Sequence, residues 1–220
     1  MGITLHQVTK DFGQPPTQVL KDINLTINDG EFISITGRSG SGKSTLLYIL
    51  STLDVPSSGY VEISGHDVVT MTSRELHQFR NLHVGFVFQF HHLLPELTVL
   101  ENVLLPARKS KRSIERHSYA LALLEQFGIA NKADSFPRQI SGGESQRAAL
   151  ARALVMQPQY IFADEPTGNL DSANGDTVLQ IFSRINKEQQ TTIVMVTHDL
   201  EYAALATRQI NMVDGRLAVS

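Results

Sequence analysis

Short apolar runs alternate with helical patterns along most of the chain. Runs at 3–8 and 19–27 predict two strands, and the turn sequence Asn28-Asp29-Gly30 follows the second. A third run at 32–35 leads directly into a glycine-rich loop, after which residues 43–52 are apolar enough to predict a buried helix. The remaining predicted strands are at 60–63, 84–88, 160–163 and 191–196, with a terminal hairpin at 210–213 and 217–219.

The middle of the chain has a helical pattern instead. This pattern dominates from 99–157, where apolar residues at offsets 0, 3, 4 and 7 from Ala120 form one helix face that ends before Gly128. Because strands alternate with helices elsewhere, we predict an α/β fold with a mostly parallel sheet. The predicted organisation is one domain over 1–220, in which a helical lobe, 91–157, interrupts a core formed by 1–90 and 158–220.

Composition and charge narrow the function classes. With 41% hydrophobic and 19% charged residues, the chain can form a buried core, and its net charge of −3 argues against a nucleic-acid partner, which would need a basic face. There is no Cys, so disulfides and Cys-based zinc sites are excluded. No apolar run approaches the roughly 20 residues that span a bilayer, and the first ten residues have no secretion pattern. We therefore expect a cytoplasmic protein that contacts a membrane only through a partner.

The glycine-rich loop after the third strand matches G-x-x-x-x-G-K-[ST], with the strand before it and the helix after it that this motif requires. Glycines let successive N–H groups point inward, and the following helix directs its unsatisfied N–H groups at the same spot. The loop therefore predicts a phosphate cradle for ATP, in which Lys43 contacts the β- and γ-phosphates and the Ser44 hydroxyl ligates Mg²⁺. The predicted cradle residues are Gly37, Arg38, Ser39, Gly40, Ser41, Gly42, Lys43, Ser44 and Thr45.

Three further strands end in polar residues of the kind that a nucleotide hydrolase needs. The run 160–163 leads into Asp164, which would hold Mg²⁺, and Glu165, the candidate base for the attacking water. Gln89 ends another strand and could reach Mg²⁺ or that water, and His198 ends a third and could bond to the γ-phosphate. Each has a structural alternative, an acidic turn at Asp164-Glu165 and a satisfied turn residue at His198. The predicted metal ligands are Ser44, Gln89 and Asp164, and the predicted catalytic residues are Glu165, His198 and Gln89.

A second candidate phosphate site, Ile140-Ser141-Gly142-Gly143-Glu144, precedes an Ala- and Leu-rich helix. Ser141 and Glu144 are three positions apart, so the segment could be no more than a capping box. Adjacent glycines in a first helical turn, however, each destabilise it by about 1 kcal/mol relative to Ala, which makes sense where another backbone or an anion approaches closely. The segment therefore predicts a second exposed helix N-terminus with a Ser hydroxyl, which need not act on the same nucleotide as the cradle.

The motifs GRSGSGKST, ISGGESQR, YIFADEP and GNLD, with Gln89 and His198, occur in an order and spacing that resembles the ATP-binding-cassette (ABC) ATPases over essentially the whole chain. The resemblance implies a P-loop core with an N-terminal antiparallel β region and an inserted helical lobe. It also implies a head-to-tail pair, in which each ATP lies between the cradle of one copy and residues 141–144 of the other. Ile140 and Glu144 replace the usual Leu and Gln, but the Ser and both glycines are retained.

Two more positions take roles only from this resemblance. Phe12, in the KDFG segment, matches the aromatic residue that stacks on adenine, although simple packing of the hairpin is the alternative. Asp171, in GNLD, matches the loop that couples the two nucleotide sites. The resemblance thus adds the following nucleotide-contacting residues: Phe12, Ser141, Gly142, Gly143, Glu144 and Asp171.

The segment QFHHLLPELTVLENV, together with ADEPTGNLD and VDGRL, resembles the ATPase subunits of bacterial lipoprotein-releasing complexes. This implies an ATPase at the cytoplasmic face of the inner membrane that drives lipoprotein release, with an integral membrane partner docking near Phe90 to Val103. The alternatives are the ATPase of a macrolide or antimicrobial-peptide exporter and a regulatory cell-division ATPase. From the residues alone, this apolar loop could pack inward instead, and His91-His92 could suggest a metal site, although adjacent side chains diverge and no third ligand is evident. A small-molecule P-loop kinase is disfavoured because it needs no second phosphate-binding helix.

Overall fold

The computed structural model describes residues 2–218, which form strands and helices in alternation after an initial β region. The strands are β1 (Gly2–Phe12), β2 (Thr17–Asn28), β3 (Phe32–Gly37), β4 (Ser58–Ile63), β5 (His66–Asp67), β6 (Val84–Val87), β7 (Tyr160–Asp164), β8 (Thr192–Val196), β9 (Arg208–Val213) and β10 (Arg216–Leu217). The helices are α1 (Lys43–Leu50), α2 (Ser73–His83), α3 (Val99–Val103), α4 (Leu105–Lys109), α5 (Ser113–Gln126), α6 (Gly142–Leu154), α7 (Ser172–Gln189) and α8 (Leu200–Ala203), with short 3₁₀ turns at Ala130–Lys132 and Pro137–Gln139.

Two sheets organise the fold. The larger has the order β10-β9-β3-β8-β7-β6, and its strands from β9 to β6 are parallel, while β10 pairs with β9 in antiparallel fashion. The smaller sheet, β2-β1-β4-β5, is antiparallel throughout. The predicted α/β fold with a mostly parallel sheet and an N-terminal antiparallel region is therefore confirmed.

The parallel sheet is covered on both faces, and β8 illustrates how. All five of its residues are buried, and alternate side chains enter different clusters. Ile193 and Met195 pack with the helices α3, α5, α6 and α7, whereas Val194 and Val196 pack with α1 and the antiparallel sheet. This is why the central strands are continuous apolar runs rather than alternating ones.

Four helices, α3 to α6, lie between β6 and β7 along the chain. The predicted apolar face of α5 is buried, and Gly128 ends the helix with a φ of 68°, which favours glycine. The basic stretch 109–116 covers the end of α4 and the exposed start of α5. The bounds of the lobe at residues 91 and 157 stay a prediction. Among residues 2–218, no helix combines the length and the apolar character that crossing a membrane requires.

The structure adds elements that the apolar pattern did not predict. Helix α2 was not predicted because most of its residues are polar. Its apolar residues Leu76, Phe79 and Leu82 recur at intervals of three, but only Phe79 is fully buried. Its start was readable, since Thr72 and Glu75 form a capping box. Helix α8 is a single turn capped by Asp199. The predicted helix 43–52 ends at Leu50. The terminal hairpin forms as β9 and β10, but of the predicted strand 217–219 only Leu217 belongs to β10; Ala218 follows the strand and Val219 lies outside the described residues.

The Tyr160 hydroxyl joins the two sheets and generates a stability prediction. It lies 2.6 Å from the Ser64 Oγ and donates to the Asp29 Oδ1 at 2.9 Å. Burial, and then the Asp29 carboxylate, raise the pKa of Tyr160 from 10.0 to about 12. We expect Tyr160→Phe to destabilise the fold by about 1 kcal/mol at neutral pH, because the hydroxyl's bonds are lost.

The same hydroxyl has a predictable pH dependence. Because folding raises the pKa of Tyr160, its hydroxyl contributes fully to the free energy of unfolding below pH 10. This contribution is lost as the pH rises towards 12. Urea unfolding of both proteins at neutral pH and at about pH 11 should therefore give a difference that narrows at alkaline pH. A difference independent of pH would contradict this interpretation.

Candidate functional site

The glycine-rich loop curls between β3 and α1, as the sequence predicts. Gly37, Gly40 and Gly42 have φ values of 144°, 78° and 100°, a region that disfavours side chains. Gly42 is the N-cap of α1 and has no side chain that could occupy the helix N-terminus. Lys43 donates from Nζ to the carbonyl oxygens of Gly37 and Arg38, both at 2.9 Å. The ammonium group is therefore held at the loop, beside the N-terminus of α1, and this combination of positive charge and helix N-terminus suits an anion.

Two open clefts flank this loop. One, of about 520 Å³, is lined by Lys43, Ser44 and the loop, and Glu165 and His198 form its other wall. The other, of about 900 Å³, shares His198 and part of the glycine-rich loop with the first. Its remaining lining comes mainly from the ends of β3 and β9, and it contains neither Lys43 nor Ser44. The smaller cleft therefore has the chemistry for phosphate binding, although the other is larger.

The Ser44 hydroxyl and the Asp164 carboxylate lie together beside this cleft. Ser44 Oγ donates to Asp164 Oδ1 at 3.1 Å, and Asp164 is almost fully buried at the end of β7. One turn further along α1, Tyr48 also bonds to Asp164; burial, and then the charge and hydrogen bond of Asp164, raise the pKa of Tyr48. A hydroxyl and a carboxylate oxygen at one point suit Mg²⁺, which prefers oxygen ligands. Tyr48 was not predicted to contact Asp164; its i+4 spacing from Ser44 was the available signal.

Gln89, the third predicted metal ligand, contacts the segment that follows Glu165. Its backbone carbonyl accepts from Asn169 Nδ2 at 3.1 Å, and its amide nitrogen lies so close to Gly168 that a Cβ there would be 3.2 Å away. It is therefore fixed against the loop that follows Glu165.

Among residues 2–218, no group of three or more His, Cys, Asp or Glu residues could hold a metal ion, so the alternative metal site at His91-His92 finds no support.

Glu165 has a strained backbone that its neighbours hold in place. Its φ is 48°, a conformation that costs an ordinary side chain roughly 1–3 kcal/mol. Its N–H donates to the Val196 carbonyl at 3.0 Å, and its carbonyl accepts from the Gly168 N–H at 3.1 Å. His198 Nδ1 lies 2.7 Å from the Glu165 carboxylate. With a side chain that is 17% exposed and faces the cleft, Glu165 is placed to accept a proton from a water molecule there.

The segment from Ser141 to Glu144 forms the capping box that was the structural alternative for this motif, and its binding of phosphate stays a prediction. Ser141 Oγ accepts from the Glu144 N–H at 3.2 Å, and the Glu144 carboxylate accepts from the Ser141 N–H at 2.7 Å, which is the main cause of a lowered pKa of Glu144. The two glycines between them differ. A Cβ on Gly143 would be 2.4 Å from Asn174 Oδ1, whereas the nearest atom to a Cβ on Gly142 would be 4.0 Å away. Packing therefore requires Gly143, while Gly142 leaves the helix tip open.

The cradle and this helix tip are not brought together within one chain. None of residues 141–144 lines either cleft. Phe12 is also outside both linings, 46% exposed at the end of β1, with Lys10 Nζ 4.9 Å from its ring centroid. Its stacking on adenine stays a prediction.

Asp171, at the start of α7, is connected to α6 through Asn174. It caps α7 and accepts from the Asn174 N–H at 2.9 Å and from its side-chain nitrogen, and the backbone bond is the main cause of a lowered pKa of Asp171. Asn174 Oδ1 in turn accepts from Arg147 of α6 at 2.8 Å. Asn174 and Arg147 were not predicted from the sequence. For Asn174, the one local signal was the N-cap residue Asp171, three positions before it.

A strand–loop–helix cradle, a buried Asp at a strand end and an adjacent Glu define a P-loop nucleotide hydrolase. Comparison with known proteins then identifies the family: the "ABC transporter" family profile matches residues 20–168, and the chain belongs to this family. It is an ATPase of the ABC type, and it binds nucleotide.

Similar proteins span nearly the whole chain. The lipoprotein-releasing system ATP-binding protein LolD of Leptospira interrogans is 51% identical over 98% of this chain and 90% of the relative, and LolD of Aquifex aeolicus is 52% identical over 91% and 89%. Among solved structures, the dimeric bacterial ABC transporter cassette MJ0796 is 42% identical, with a TM-score of 0.92 over 99% of this chain and 97% of the other. A dimeric post-hydrolysis state of the same cassette bound to ADP and Pi has a TM-score of 0.88 at 40% identity, with the same coverage.

The two glycines of the helix tip generate a matched prediction. Gly143→Ala should destabilise the fold, because its methyl group would displace the Asn174 side chain from Arg147 and Asp171. Gly142→Ala should leave stability unchanged or raise it by up to about 1 kcal/mol, since Ala is the better helix former. Thermal unfolding measures both, and Asn174→Ala should restore part of the stability of Gly143→Ala. Equal melting temperatures for the two single variants would contradict the packing argument.

Proposed function

We propose that this chain is the ATPase subunit of a lipoprotein-releasing transporter, working as a pair at the cytoplasmic face of the inner membrane. One observation carries the proposal: the cradle and the helix tip at residues 141–144 are both intact, yet the tip lines neither cleft beside the cradle in one chain. A second copy, placed head to tail, would bring the tip to the cradle. The LolD relatives, at up to 52% identity, favour lipoprotein release over the exporter and cell-division alternatives.

The cleft residues divide the work of hydrolysis between them. The loop N–H groups and Lys43 bind and orient the phosphates; the two hydrogen bonds that hold Lys43 at the loop support this role. Ser44 and Asp164 would hold Mg²⁺, with Gln89 approaching from the neighbouring loop, and the ion would neutralise charge on the transferring phosphoryl group. Glu165 takes the proton of the attacking water, and His198 Nδ1–H orients its carboxylate.

Residues 141–144 of one copy act on the nucleotide that the other copy binds. Ser141 and the open tip at Gly142 offer a hydroxyl and helix N–H groups to the γ-phosphate bound by the other copy. To shift such a pair from mostly open to mostly closed, ATP must favour the closed state by about 5.5 kcal/mol. Two further residues would contact the other copy: Glu144, and Asp171, which Asn174 connects to α6. Phe12 would stack on the adenine.

The membrane partner docks at the loop from Phe90 to Val103. This loop is ordered by Asn102, whose buried side chain binds the backbone N–H and carbonyl of Leu94 and the carbonyl of Leu97. Phe90 and Leu94, by contrast, are 63% and 44% exposed. A rigid backbone that presents apolar side chains outward suits a protein contact better than inward packing does.

A hydrolysis-deficient variant tests the catalytic assignment. Glu165→Gln should lower steady-state ATP hydrolysis by about 100-fold or more, because the amide cannot accept the proton. Calorimetric titration should give wild-type ATP affinity for this variant. Lys43→Ala is the matched control, since it should weaken binding itself. Wild-type turnover in Glu165→Gln would refute the role of this carboxylate.

Charge at the helix tip tests the paired arrangement. In the Glu165→Gln background saturated with ATP, we expect a dimer by size-exclusion chromatography with light scattering. Adding Ser141→Asp should leave it monomeric, because Asp keeps the helix cap but repels the phosphate. Ser141→Asn, which caps without charge, should still allow dimers. If the Asp and Asn variants behave alike, the tip does not meet the nucleotide.

Isolation from membranes tests the transport assignment. The tagged chain, purified from detergent-solubilised membranes of its own cells, should retain integral membrane subunits, and its depletion should leave lipoproteins in the inner membrane. Replacing Phe90 by Ser should weaken this co-purification without changing the fold, because the side chain is mostly exposed. Normal lipoprotein release in depleted cells would point to the exporter or cell-division alternative.

A further inference from the structure

Gln146 is a fully buried amide on α6 that joins two separate loops. Its Nε2 donates to the Pro166 carbonyl at 2.7 Å, and its Oε1 lies 2.6 Å from His91 Nδ1. The bond to Pro166 fixes which end of the amide is nitrogen. His91 Nδ1 must therefore carry the proton and donate to Oε1.

One end of this amide reaches the peptide next to Glu165. Pro166 follows Glu165 directly, and Glu165 has the strained φ of 48°. The Val196 carbonyl and the Gly168 N–H hold Glu165 itself, and the Gln146 amide holds the next carbonyl along the chain. A shift of that carbonyl would rotate the backbone that aims the Glu165 carboxylate into the cleft.

The other end reaches the exposed loop after β6. Arg152, two turns further along α6, donates from its two terminal nitrogens to the carbonyls of His91 and His92, each at 2.7 Å. The backbone of this loop is therefore fastened to α6 while the neighbouring Phe90 side chain is exposed. A displacement of the loop would withdraw the His91 donor and leave Gln146 Oε1 buried without it, which favours a rearrangement of the amide.

We propose that Gln146 is a positioning residue for Glu165, and that it transmits the position of the loop at Phe90 to that carboxylate through His91. The proposal rests on the proposed role of Glu165 in taking the proton of water. The loop, α6 and the hydrolytic carboxylate then form one mechanical unit. A partner bound to Phe90 would reach the reacting water through two hydrogen bonds.

A buried amide can also be purely structural, and the chain provides a control of that kind. Asn186 of α7 is 9% exposed and donates to the carbonyls of Gly30 and Thr191, at 2.8 and 2.9 Å, at the opposite end of the strands from Glu165. Gln146→Met and Asn186→Leu both replace an amide by an apolar group of similar size. Both should lower the melting temperature.

Steady-state ATP hydrolysis by the full-length chain, below both melting temperatures, separates the two roles. Gln146→Met should lower kcat by about tenfold and leave the KM for ATP within about twofold, because the cradle is untouched. Asn186→Leu should change neither. A wild-type kcat in Gln146→Met would overturn the proposal, as would an equal loss in Asn186→Leu.

Variants of His91 test the transmission step. His91→Ala should lower kcat, and the double variant with Gln146→Met should show no further loss, because both changes break one connection. His91→Asn should recover most of the rate, since its amide nitrogen can donate in place of Nδ1. Additive losses, or no recovery by Asn, would remove His91 from the path. Glu165→Gln is assayed in parallel to separate the two proposals. If Glu165→Gln retains turnover, the proposed role of Glu165 is wrong. If Glu165→Gln is inactive while the Gln146 and His91 variants have the wild-type kcat, only the Gln146 proposal is wrong.

Discussion

The parallel pairing of β3, β8, β7 and β6 is the constraint on which the site depends. It brings the carboxyl ends of four strands to one edge of the sheet, where the cradle, His198, Asp164 and Gln89 follow. The register is held by strands that are buried on both faces, so it cannot slip without exposing apolar side chains. That rigidity also supports the strained backbone at Glu165, because the adjacent strand end supplies the Val196 carbonyl.

Helix α6 is the element through which distant parts of the chain are connected. Its successive turns present the Ser141 tip, the Gln146 amide, the Arg147 bond to Asn174 and the Arg152 bonds to the loop after β6. Backbone hydrogen bonds join each turn of a helix to the next, so the contacts along α6 share one rigid element. These contacts link the Ser141 tip, the loop after β6 and the segment after β7, and the proposed role of Gln146 depends on them.

Much of the site was predictable because its motifs are local. The curl of residues 37–42 depends on glycines at positive φ, and the capping box of Ser141 and Glu144 depends on a spacing of three. The glycine pair was only half understood, however. The sequence interpretation was that a backbone or an anion approaches the two glycines, and that stays a prediction. Within the chain, the group that lies against Gly143 is instead the Asn174 side chain, which neither periodicity nor motif spacing connects to it.

The sequence by itself determined the strand–loop–helix cradle, the acidic strand end and the family, because each depends on residues that are adjacent or regularly spaced. Only the tertiary structure decided which side chains meet. Ser44 and Asp164 are 120 positions apart, and Gln146 lies 55 positions from His91 and 20 from Pro166. A hydrogen bond extends over about 3 Å, so such pairs exist only once strand register and helix packing have placed both partners, and no local pattern encodes that distance.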